Sequence, residues 1–252
     1  MIISYGPEFL KLFSYTIDIE PPHKRDPEAT RIFLCSESGN WELEAENLIN
    51  HPVKFELFHM FTDRTFTLGM LYVLLPKLIH VYAHNCDFQH PMVTQVPLGF
   101  LDHTFMIKKV DHPRDIMCYM NFDMHKSEFR SHVTSRLIRE NCTHAMEGHS
   151  WVTYEKQKLK PIQYYERLMR SKFVICPFGV GIDTYRFYES CWYGATPIVM
   201  SSGLDSLHRK FGALIVNDWS EITEKLLDSW EYKPVDPLLF HLESYTNCSI
   251  TA

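Results

Sequence analysis

Short apolar runs rich in β-branched residues alternate with amphipathic stretches along most of this chain. In the first half, this pattern predicts strands at Arg31–Cys35, Val53–Phe58 and Ile79–Ala83. Between them it predicts a helix at Trp41–Asn50 and a helix or buried run at Leu68–Leu75. The first thirty residues mix prolines with charges and are expected to form an irregular lead-in.

The second half alternates more regularly between strand and helix patterns. The predicted strands are Asp115–Met120, Ser150–Tyr154, Lys172–Cys176, Ala195–Met200 and Ala213–Val216, and the predicted helices are Ser127–Glu140, Pro161–Arg170, one ending near Tyr193, Leu204–Lys210 and Ser220–Trp230. Such alternation is typical of a parallel sheet with helices on both faces. Its ligand site is expected beyond the carboxyl ends of the strands.

These patterns predict an α/β chain with two Rossmann-like domains. We expect the first at residues 1–112 and the second at residues 113–234, with Asp111-His112-Pro113 as the linker. Residues 235–252 form a C-terminal segment that can return to the first domain.

Residues 171–200, SKFVICPFGVGIDTYRFYESCWYGATPIVM, are the most informative stretch of the chain. They predict a strand, a glycine-rich loop, a helix, a turn and a second strand. Gly179 and Gly181 allow a sharp turn and the close approach of a ligand to the backbone. Gly194 lies where a glycine that ends a helix is expected.

The helix after this loop offers groups that suit a nucleotide. Asp183 or Thr184 can cap the helix, whose free amides and partial positive charge favour an anion. Arg186 lies in the first turn and Glu189 three residues later, so both lie on one face. An arginine fork suits a diphosphate, and a carboxylate suits the paired hydroxyls of a ribose. The alternative is an ordinary surface ion pair.

Two other loops can reach the same ligand. Asn121 and Arg130 flank the loop that follows the first strand of the second half. Ser201 and Ser202 follow the strand that ends at Met200, where their hydroxyls can donate to a phosphate. The alternative for Asn121 and Arg130 is that they only solvate the start of a helix. The alternative for Ser201 and Ser202 is that they only form an ordinary turn before a helix.

Residues 171–200 resemble the nucleotide-sugar-binding segment of exostosin-type glycosyltransferases, SKFxLCPxGxGxDTxRxxExxxxGxxPIV. Weaker similarity covers residues from about 80 to 228, including VPLGF at Val96–Phe100, YMNFDMHKSEFR at Tyr119–Arg130 and VNDWSEIT at Val216–Thr223. The residues that fit the main segment are Ser171, Lys172, Phe173, Cys176, Pro177, Gly179, Gly181, Asp183, Thr184, Arg186, Glu189, Gly194, Pro197, Ile198 and Val199.

The resemblance implies a GT-B arrangement, in which two Rossmann-like domains face each other across a cleft. It implies an inverting glycosyltransferase with a nucleotide-sugar donor and a glycan acceptor, the acceptor side being residues 1–112. The residues expected to bind the nucleotide-sugar are Arg186, Glu189, Gly179, Gly181, Asp183, Thr184, Asn121, Arg130, Ser201 and Ser202.

Sugar transfer with inversion needs a base that deprotonates the acceptor hydroxyl while the nucleoside diphosphate leaves from the opposite face. We expect this base in the first domain. Glu37, which follows the first predicted strand, is the first candidate, and Asp87 in the loop HNCDFQH is the second. His84, His90 and His103 lie around the same loops, where they can assist or be ordinary loop histidines.

Composition narrows the class of protein. The net charge of −6 and the pI near 6.1 argue against a general nucleic-acid binder. Seven scattered cysteines without a CxxC pair are expected to be reduced core residues. The nearest approach to a metal-binding Asp-x-Asp is Asp18-Ile-Glu20 in the lead-in. We therefore expect no metal or other cofactor, with Arg186 and the helix amides stabilising the leaving group.

We expect a cytoplasmic protein without an integral membrane segment. The start MIISYGPEFLKLF lacks the features of a signal peptide, and the longest apolar stretch, Leu68–Val81, is interrupted and too short to span a bilayer. Animal and plant exostosin relatives are usually anchored in the Golgi, so either an anchor was removed or the protein works in the cytoplasm, that of a virus-infected host included. In size it is similar to the algal-virus members of the family.

Three functions stay open at this point. The first is a UDP-dependent, metal-independent glycosyltransferase, for which xylose is preferred over galactose and glucuronic acid on the likeness to viral members. The second is a GDP-fucose-dependent fucosyltransferase, whose donor segment has the same order of elements. Its loop motif is echoed by ITEK at Ile222–Lys225, which lies in the last predicted helix. The third is a non-catalytic module that binds a glycan or a nucleotide with the same fold.

Overall fold

A computed structural model describes residues 3–5, 15–17, 26–35, 41–101, 107–122 and 133–246 of the chain. The chain divides into two compact units. The first unit comprises Met1–Leu101, Gly181–Asp183 and Phe240–Ala252, and the second comprises Asp102–Val180 and Thr184–Leu239. The boundaries expected from the sequence, at residues 112 and 234, stay a prediction.

The first unit is built on a parallel sheet of five strands in the order β2-β3-β4-β5-β6. Two further strands among its described residues, β1 and β7, pair with each other in parallel. Its strands are β1 (Ser4–Tyr5), β2 (Tyr15–Ile17), β3 (Arg31–Leu34), β4 (Phe55–His59), β5 (Leu78–Ala83), β6 (Val93–Gln95) and β7 (Phe100–Leu101), and its helices are α1 (Trp41–Ile49) and α2 (Leu68–Leu74).

Alternate residues of the central strands face two separate cores, because successive side chains of a strand point to opposite faces. On β3, Leu34 packs with residues of α1 and α2, whereas its neighbour Phe33 packs on the other face. That second core also contains Ile3 and Leu242. The backbone amide of Ile3 donates to the carbonyl of Phe240 at 2.8 Å. Residues near the C-terminus therefore complete the core of the first unit.

The second unit also has a parallel sheet of five strands, in the order β12-β11-β10-β8-β9. Its strands are β8 (Ile116–Met120), β9 (Val152–Tyr154), β10 (Ser171–Ile175), β11 (Thr196–Met200) and β12 (Leu214–Val216), and its helices are α3 (Val133–Met146), α4 (Pro161–Arg170), α5 (Tyr185–Trp192), α6 (Asp205–Lys210) and α7 (Glu224–Ser229).

The parallel α/β fold class and most predicted elements are confirmed, with boundaries that differ by one or two residues. The prediction of an irregular lead-in is wrong in part, because β1 and β2 lie there. Strands of two or three residues show little period of their own, and β6 and β7 were missed as well. β9 and β12 are as short, but they were predicted from the regular alternation of strand and helix patterns in the second half. The helix predicted at Ser127–Glu140 continues to Met146, and its start lies outside the described residues.

The single helix predicted at Ser220–Trp230 is divided in the structure. Trp219–Glu221 forms a 3-10 helix, and α7 begins separately. The break occurs at Thr223, whose extended backbone and side chain cap α7, with Oγ1 accepting from the Leu226 amide at 3.2 Å. The ITEK motif at Ile222–Lys225 therefore spans a cap and a helix start.

Gly194 follows helix α5 as the sequence predicts. Its φ of 81° lies in the left-handed region, and it comes directly after the C-cap residue Tyr193. A Cβ at Gly194 would lie 2.5 Å from Nη2 of Arg114. That guanidinium donates to the carbonyl of Tyr193 at 2.8 Å and also to the carbonyl of Ser171. Arg114 thus ties the end of α5 to the start of β10.

Within the part of the chain that the structure describes, no helix has the length and apolar character that crossing a membrane requires.

Two buried histidines lie at the ends of neighbouring strands in the first unit. Both ring nitrogens of His59, the last residue of β4, are buried without a hydrogen-bond partner among the described residues. His84 follows β5, and its Nδ1 accepts from the Phe61 amide at 2.9 Å. Burial, followed by the charge of Arg64, lowers the pKa of His59 to about 3. Burial also lowers the pKa of His84 well below its ordinary value, so both rings are neutral in the folded protein.

Replacing His59 with leucine is expected to make folding less sensitive to acid. In the unfolded chain His59 takes up a proton below a pH of about 6.5, whereas in the folded protein it stays neutral down to about 3. The free energy of unfolding therefore falls as the pH falls through this range. Between pH 8 and pH 5 this one group costs about 2 kcal/mol of stability.

Urea denaturation at both pH values, followed by circular dichroism, measures this effect. The loss of stability between pH 8 and pH 5 should be smaller in His59→Leu than in the wild type by about 2 kcal/mol. His149→Leu changes an exposed histidine and should keep the wild-type loss. Equal losses in all three proteins would contradict a lowered pKa for His59.

Candidate functional site

The carboxyl ends of β8 and β10 form the edge of the second unit where a ligand is expected. Numbered within this unit, the strand order is 2-1-3-4-5, which is a common order in doubly wound sheets. The two strands pair in parallel, with Val174 opposite Tyr119. From β8 the chain continues to β9 on one side, and from β10 it continues to β11 on the other. Doubly wound proteins bind ligands in the crevice at such a switch point.

The Gly-rich loop, residues 176–184, begins at this edge directly after β10. Cys176 is buried, and Gly179 is half-buried in irregular backbone. Arg139, a buried residue of α3, donates from Nη1 to the carbonyl of Phe178 at 3.3 Å. This hydrogen bond ties the loop to α3. Thr184 is the N-cap of α5 and has extended backbone, but its side chain makes no capping hydrogen bond.

Arg186 lies in the first turn of α5, and its buried Nε has no hydrogen-bond partner among the described residues. That turn holds no acidic side chain, and the positive end of a helix dipole disfavours a cation. Burial acts to lower the pKa of Arg186, but Tyr164, followed by Cys176 and Glu189, raises it above its ordinary value. The charged donor and the helix end together favour an anion such as a diphosphate.

Glu189 lies three residues after Arg186 and is held by helix α4. Tyr165 donates its hydroxyl to Oε1 at 3.0 Å, and Tyr164 donates to Oε2 at 3.1 Å. The glutamate is only 6% exposed, so it is not a residue of a surface ion pair. Burial, followed by the charge of Glu189, raises the pKa of Tyr164 well above its ordinary value, which keeps its hydroxyl protonated.

A second hydrogen-bonded network lies at the same edge of the sheet. Tyr119 on β8 donates to Oε2 of Glu155 at 2.8 Å, and Arg167 on α4 donates to Oε1 at 2.9 Å. Asn121, predicted to contact the donor, donates instead to the carbonyls of Glu155 at 2.7 Å and Gln157 at 3.0 Å. Asn121 therefore orders the segment after β9, and its contact with a nucleotide stays a prediction.

Ser201 and Ser202 follow β11, and Asp205 at the start of α6 binds both. Ser201 donates its hydroxyl to Oδ2 at 2.8 Å, and the Ser202 amide donates to Oδ1 at 2.8 Å. The Ser202 hydroxyl oxygen accepts from the Leu204 amide at 3.2 Å. These bonds build the turn into α6, and a role of either serine in phosphate binding stays a prediction.

Gly181 and Asp183 are part of the first unit. The Asp183 amide donates to Oδ1 of Asn85 at 2.7 Å, and Oδ2 of Asp183 accepts from the Leu98 amide at 3.1 Å. A Cβ on Gly181 would lie 2.5 Å from Oδ1 of Asn85. Asn85 itself has a φ of 47° and donates to the Thr62 carbonyl at 2.7 Å. The absence of a side chain at Gly181 thus makes room for the side chain of Asn85. That Gly181 also lets a ligand approach the backbone stays a prediction.

Of the two candidate bases, the structure describes only Asp87. Asp87 is exposed in the loop after β5. Nearby, His90 accepts at Nδ1 from the Met92 amide at 3.1 Å. The described residues contain no group of three or more His, Cys, Asp or Glu arranged to hold a metal ion. Outside the described residues lie Glu37, Arg130 and His103.

Arg139, Tyr164 and Tyr165 surround the site but are absent from the sequence-based predictions. Arg139 lies inside an amphipathic helix, where an arginine is usually a surface residue. Two adjacent tyrosines after a helix start are equally compatible with ordinary core packing. The sequence pointed to these tyrosines only in that two side chains with hydroxyl donors are adjacent in the helix immediately before β10.

Comparison with known families identifies the second unit. The family model of the RXYLT1 C-terminal domain matches residues 99–228, which is just over half of the chain. The chain belongs to the RXYLT1 C-terminal domain family. This family is exostosin-like, so the resemblance inferred from residues 171–200 is supported at the family level. Likeness to viral members stays a prediction.

Two relatives of this RXYLT1 C-terminal domain protein carry the same name. The chain is 29% identical over 117 residues to ribitol-5-phosphate xylosyltransferase 1 of Danio rerio, covering 44% of this chain and 26% of that protein. It is 44% identical over 36 residues to ribitol-5-phosphate xylosyltransferase 1 of Homo sapiens, covering 14% of this chain and 8% of that protein. The matched segments therefore span about a quarter of the Danio rerio protein and less than a tenth of the Homo sapiens protein.

Gly181→Ala is expected to destabilise this RXYLT1 C-terminal domain protein. The added methyl group would lie 2.5 Å from Oδ1 of Asn85 and 2.7 Å from its Cγ. Asn85 bonds to both Thr62 and Asp183, so moving it breaks a buried hydrogen bond. We expect a loss of about 1–3 kcal/mol in urea denaturation. Gly69→Ala is the matched control.

The nearest atom to a Cβ on Gly69 lies at 3.7 Å, and this glycine is inside α2. The control substitution should therefore raise stability by about 0.5–1 kcal/mol. Wild-type stability in Gly181→Ala would contradict the close packing against Asn85.

Proposed function

We propose that this chain is a glycosyltransferase that transfers xylose from UDP-xylose to a hydroxyl group of a glycan, with inversion. Membership in the RXYLT1 C-terminal domain family supports glycosyl transfer. The names of the two relatives support xylose as the sugar and an acceptor that contains ribitol 5-phosphate. The GT-B arrangement of the two units and a cytoplasmic location belong to the same proposal.

The observation that carries the proposal is the position of Arg186. Arg186 lies in the first turn of α5, directly after the Gly-rich loop, and its buried Nε has no hydrogen-bond partner among the described residues. A diphosphate bound there would receive hydrogen bonds from the guanidinium and from the free amides of the helix. Glu189, three residues later, supplies a carboxylate for the hydroxyls of the ribose.

The reaction requires one proton transfer and one displacement. A base removes the proton from the acceptor hydroxyl as its oxygen attacks the anomeric carbon, and the bond from that carbon to UDP breaks. The electron pair leaves with the diphosphate, whose growing negative charge Arg186 and the helix amides stabilise. This charge stabilisation needs no metal ion or other cofactor. Glu37 and Asp87 remain the candidate bases.

Arg186→Ala is expected to weaken the binding of UDP by at least tenfold, because charge-assisted hydrogen bonds to the diphosphate are lost. Isothermal titration calorimetry with UDP measures the affinity, and release of UDP from UDP-xylose measures turnover, which should be abolished. Arg186→Lys should recover only part of the affinity, since an ammonium group cannot form the bidentate contact.

Arg209→Ala is the control, because Arg209 is an exposed arginine that pairs with Asp205 in the same unit. It should bind UDP as the wild type does. Unchanged UDP affinity and turnover in Arg186→Ala would overturn the assigned role of this residue.

The nucleotide and the acceptor are tested with the wild-type protein. UDP-xylose and GDP-fucose are each supplied with ribitol 5-phosphate or a glycan that carries it, and sugar transfer is followed by mass spectrometry. Transfer from UDP-xylose supports the proposal. Transfer from GDP-fucose alone would establish the fucosyltransferase alternative, and nucleotide binding without turnover on any donor would support a non-catalytic module.

A further inference from the structure

Asn85 has an uncommon backbone conformation close to the end of a strand in the first unit. It is the second residue after β5, is fully buried, and has a φ of 47°. A positive φ is uncommon outside glycine, and asparagine tolerates it better than most residues do. Such conformations persist only where the surrounding structure holds them, and they concentrate at functional sites. The contacts of Asn85 therefore indicate what its conformation serves.

The segment between β4 and α2 holds Asn85 in place. The side-chain Nδ2 of Asn85 donates to the Thr62 carbonyl at 2.7 Å. The backbone carbonyl of Asn85 accepts from the Phe66 amide at 3.2 Å. These two hydrogen bonds fix the backbone of Asn85 and the orientation of its side-chain amide.

The side-chain oxygen of Asn85 binds the Gly-rich loop. Oδ1 accepts from the Asp183 amide at 2.7 Å. Oδ2 of Asp183 in turn accepts from the Leu98 amide at 3.1 Å, and Asp183 is only 3% exposed. A Cβ on Gly181 would lie 2.5 Å from Oδ1 of Asn85, so the contact requires a glycine there. All four residues belong to the first unit, so these contacts lie within one unit.

The residues that Asn85 holds lead directly into the helix that carries the proposed diphosphate site. Asp183 comes two residues before α5 begins at Tyr185, and Arg186 comes three residues after Asp183. Ordering the backbone of a residue costs conformational entropy. A loop that is already ordered in the unbound protein avoids this cost when its ligand binds, which raises affinity. Asn85 can therefore favour diphosphate binding without contacting the diphosphate.

We propose that Asn85 is a positioning residue that orders residues 181–183 of the Gly-rich loop for the binding of a nucleoside diphosphate at Arg186. This inference rests on the proposed function, because it assumes that the diphosphate binds there. Loss of the Asn85 side chain should therefore have two effects together. It should loosen the loop in the unbound protein, and it should weaken nucleotide binding.

Asn85→Gly tests this role, because glycine adopts a positive φ without strain and lacks the side chain that forms both hydrogen bonds. Hydrogen exchange followed by mass spectrometry measures the order of the loop, and isothermal titration calorimetry measures the affinity for UDP. Both are done at a temperature where circular dichroism shows that the variant is folded. The peptide that covers residues 178–186 should exchange about tenfold faster than in the unbound wild type, and UDP should bind about tenfold more weakly.

Thr94→Val is the matched control. Oγ1 of Thr94 on β6 forms a hydrogen bond with Nε2 of His80 on β5 at 2.8 Å. The variant thus loses a hydrogen bond of the same unit that involves no residue of the Gly-rich loop. It should keep the wild-type exchange of residues 178–186 and the wild-type affinity for UDP. An equal loss of affinity in Thr94→Val would overturn the inference, because it would show a general effect of destabilising the first unit.

Gly181→Ala changes the same contact from the loop, and it tests the role even if Asn85→Gly does not fold. Its methyl group displaces the Asn85 side chain, so loop exchange should again be faster and UDP binding weaker. In the double variant the methyl group has no side chain to displace, so its affinity for UDP should equal that of Asn85→Gly. Additive losses would contradict the inference, because the two residues would then not act through their shared contact.

The remaining outcomes separate this inference from the proposed function. If Asn85→Gly or Gly181→Ala exchanges faster in the loop but binds UDP as the wild type does, the positioning role is wrong and the proposed function stands. The positioning role is also wrong if Asn85→Gly weakens UDP binding without any change in loop exchange. If the wild-type protein binds no nucleoside diphosphate, both proposals fail.

Discussion

The parallel pairing of β8 with β10 is the constraint on which the second unit depends. Parallel strands cannot be joined by a tight turn, and here the chain forms α3, β9 and α4 before it returns beside β8. The pairing places the loops after both strands side by side at one edge of the sheet. It also brings Arg139 to the Gly-rich loop and the tyrosines of α4 to Glu189. The candidate site is thus a consequence of strand order.

The charged side chains at this edge of the sheet differ in whether they have hydrogen-bond partners within the protein. Glu155 accepts from Tyr119 and Arg167, and Glu189 accepts from two tyrosine hydroxyls, so each carboxylate has donors of its own. The buried Nε of Arg186 has none among the described residues. A buried polar group without a partner costs free energy, and proteins retain such groups where a ligand or catalysis requires them. That contrast is why the proposed function depends on Arg186 more than on Glu189.

Sequence patterns predicted the regular part of this fold because apolar strands of five or six residues and their intervening helices have clear periods. They missed β6 and β7, which are two or three residues long and lie outside the regular alternation of the second half. They also joined the 3-10 helix at Trp219–Glu221 to α7, because a capping threonine does not interrupt the helical period. At the site, Arg186 and Glu189 were found from spacing within one helix. Tyr164 and Tyr165 were not, because their role arises only when α4 packs on α5. The spacing of residues along the sequence predicts which side chains are neighbours within one helix. A hydrogen bond between two helices can be recognised only once their packing in the tertiary structure is known.

The first unit is discontinuous along the chain, and this affects the order in which the protein can be completed during synthesis. Its core includes Leu242, and Ile3 bonds to Phe240, while Asp183 bonds to Asn85. Every strand of the second unit is translated before Phe240 and Leu242 are available. A ribosome therefore delivers a second unit that can close while the first still lacks its last core residues. The first unit is therefore finished after the second, so a chain stalled before residue 240 would expose the apolar face that Leu242 covers.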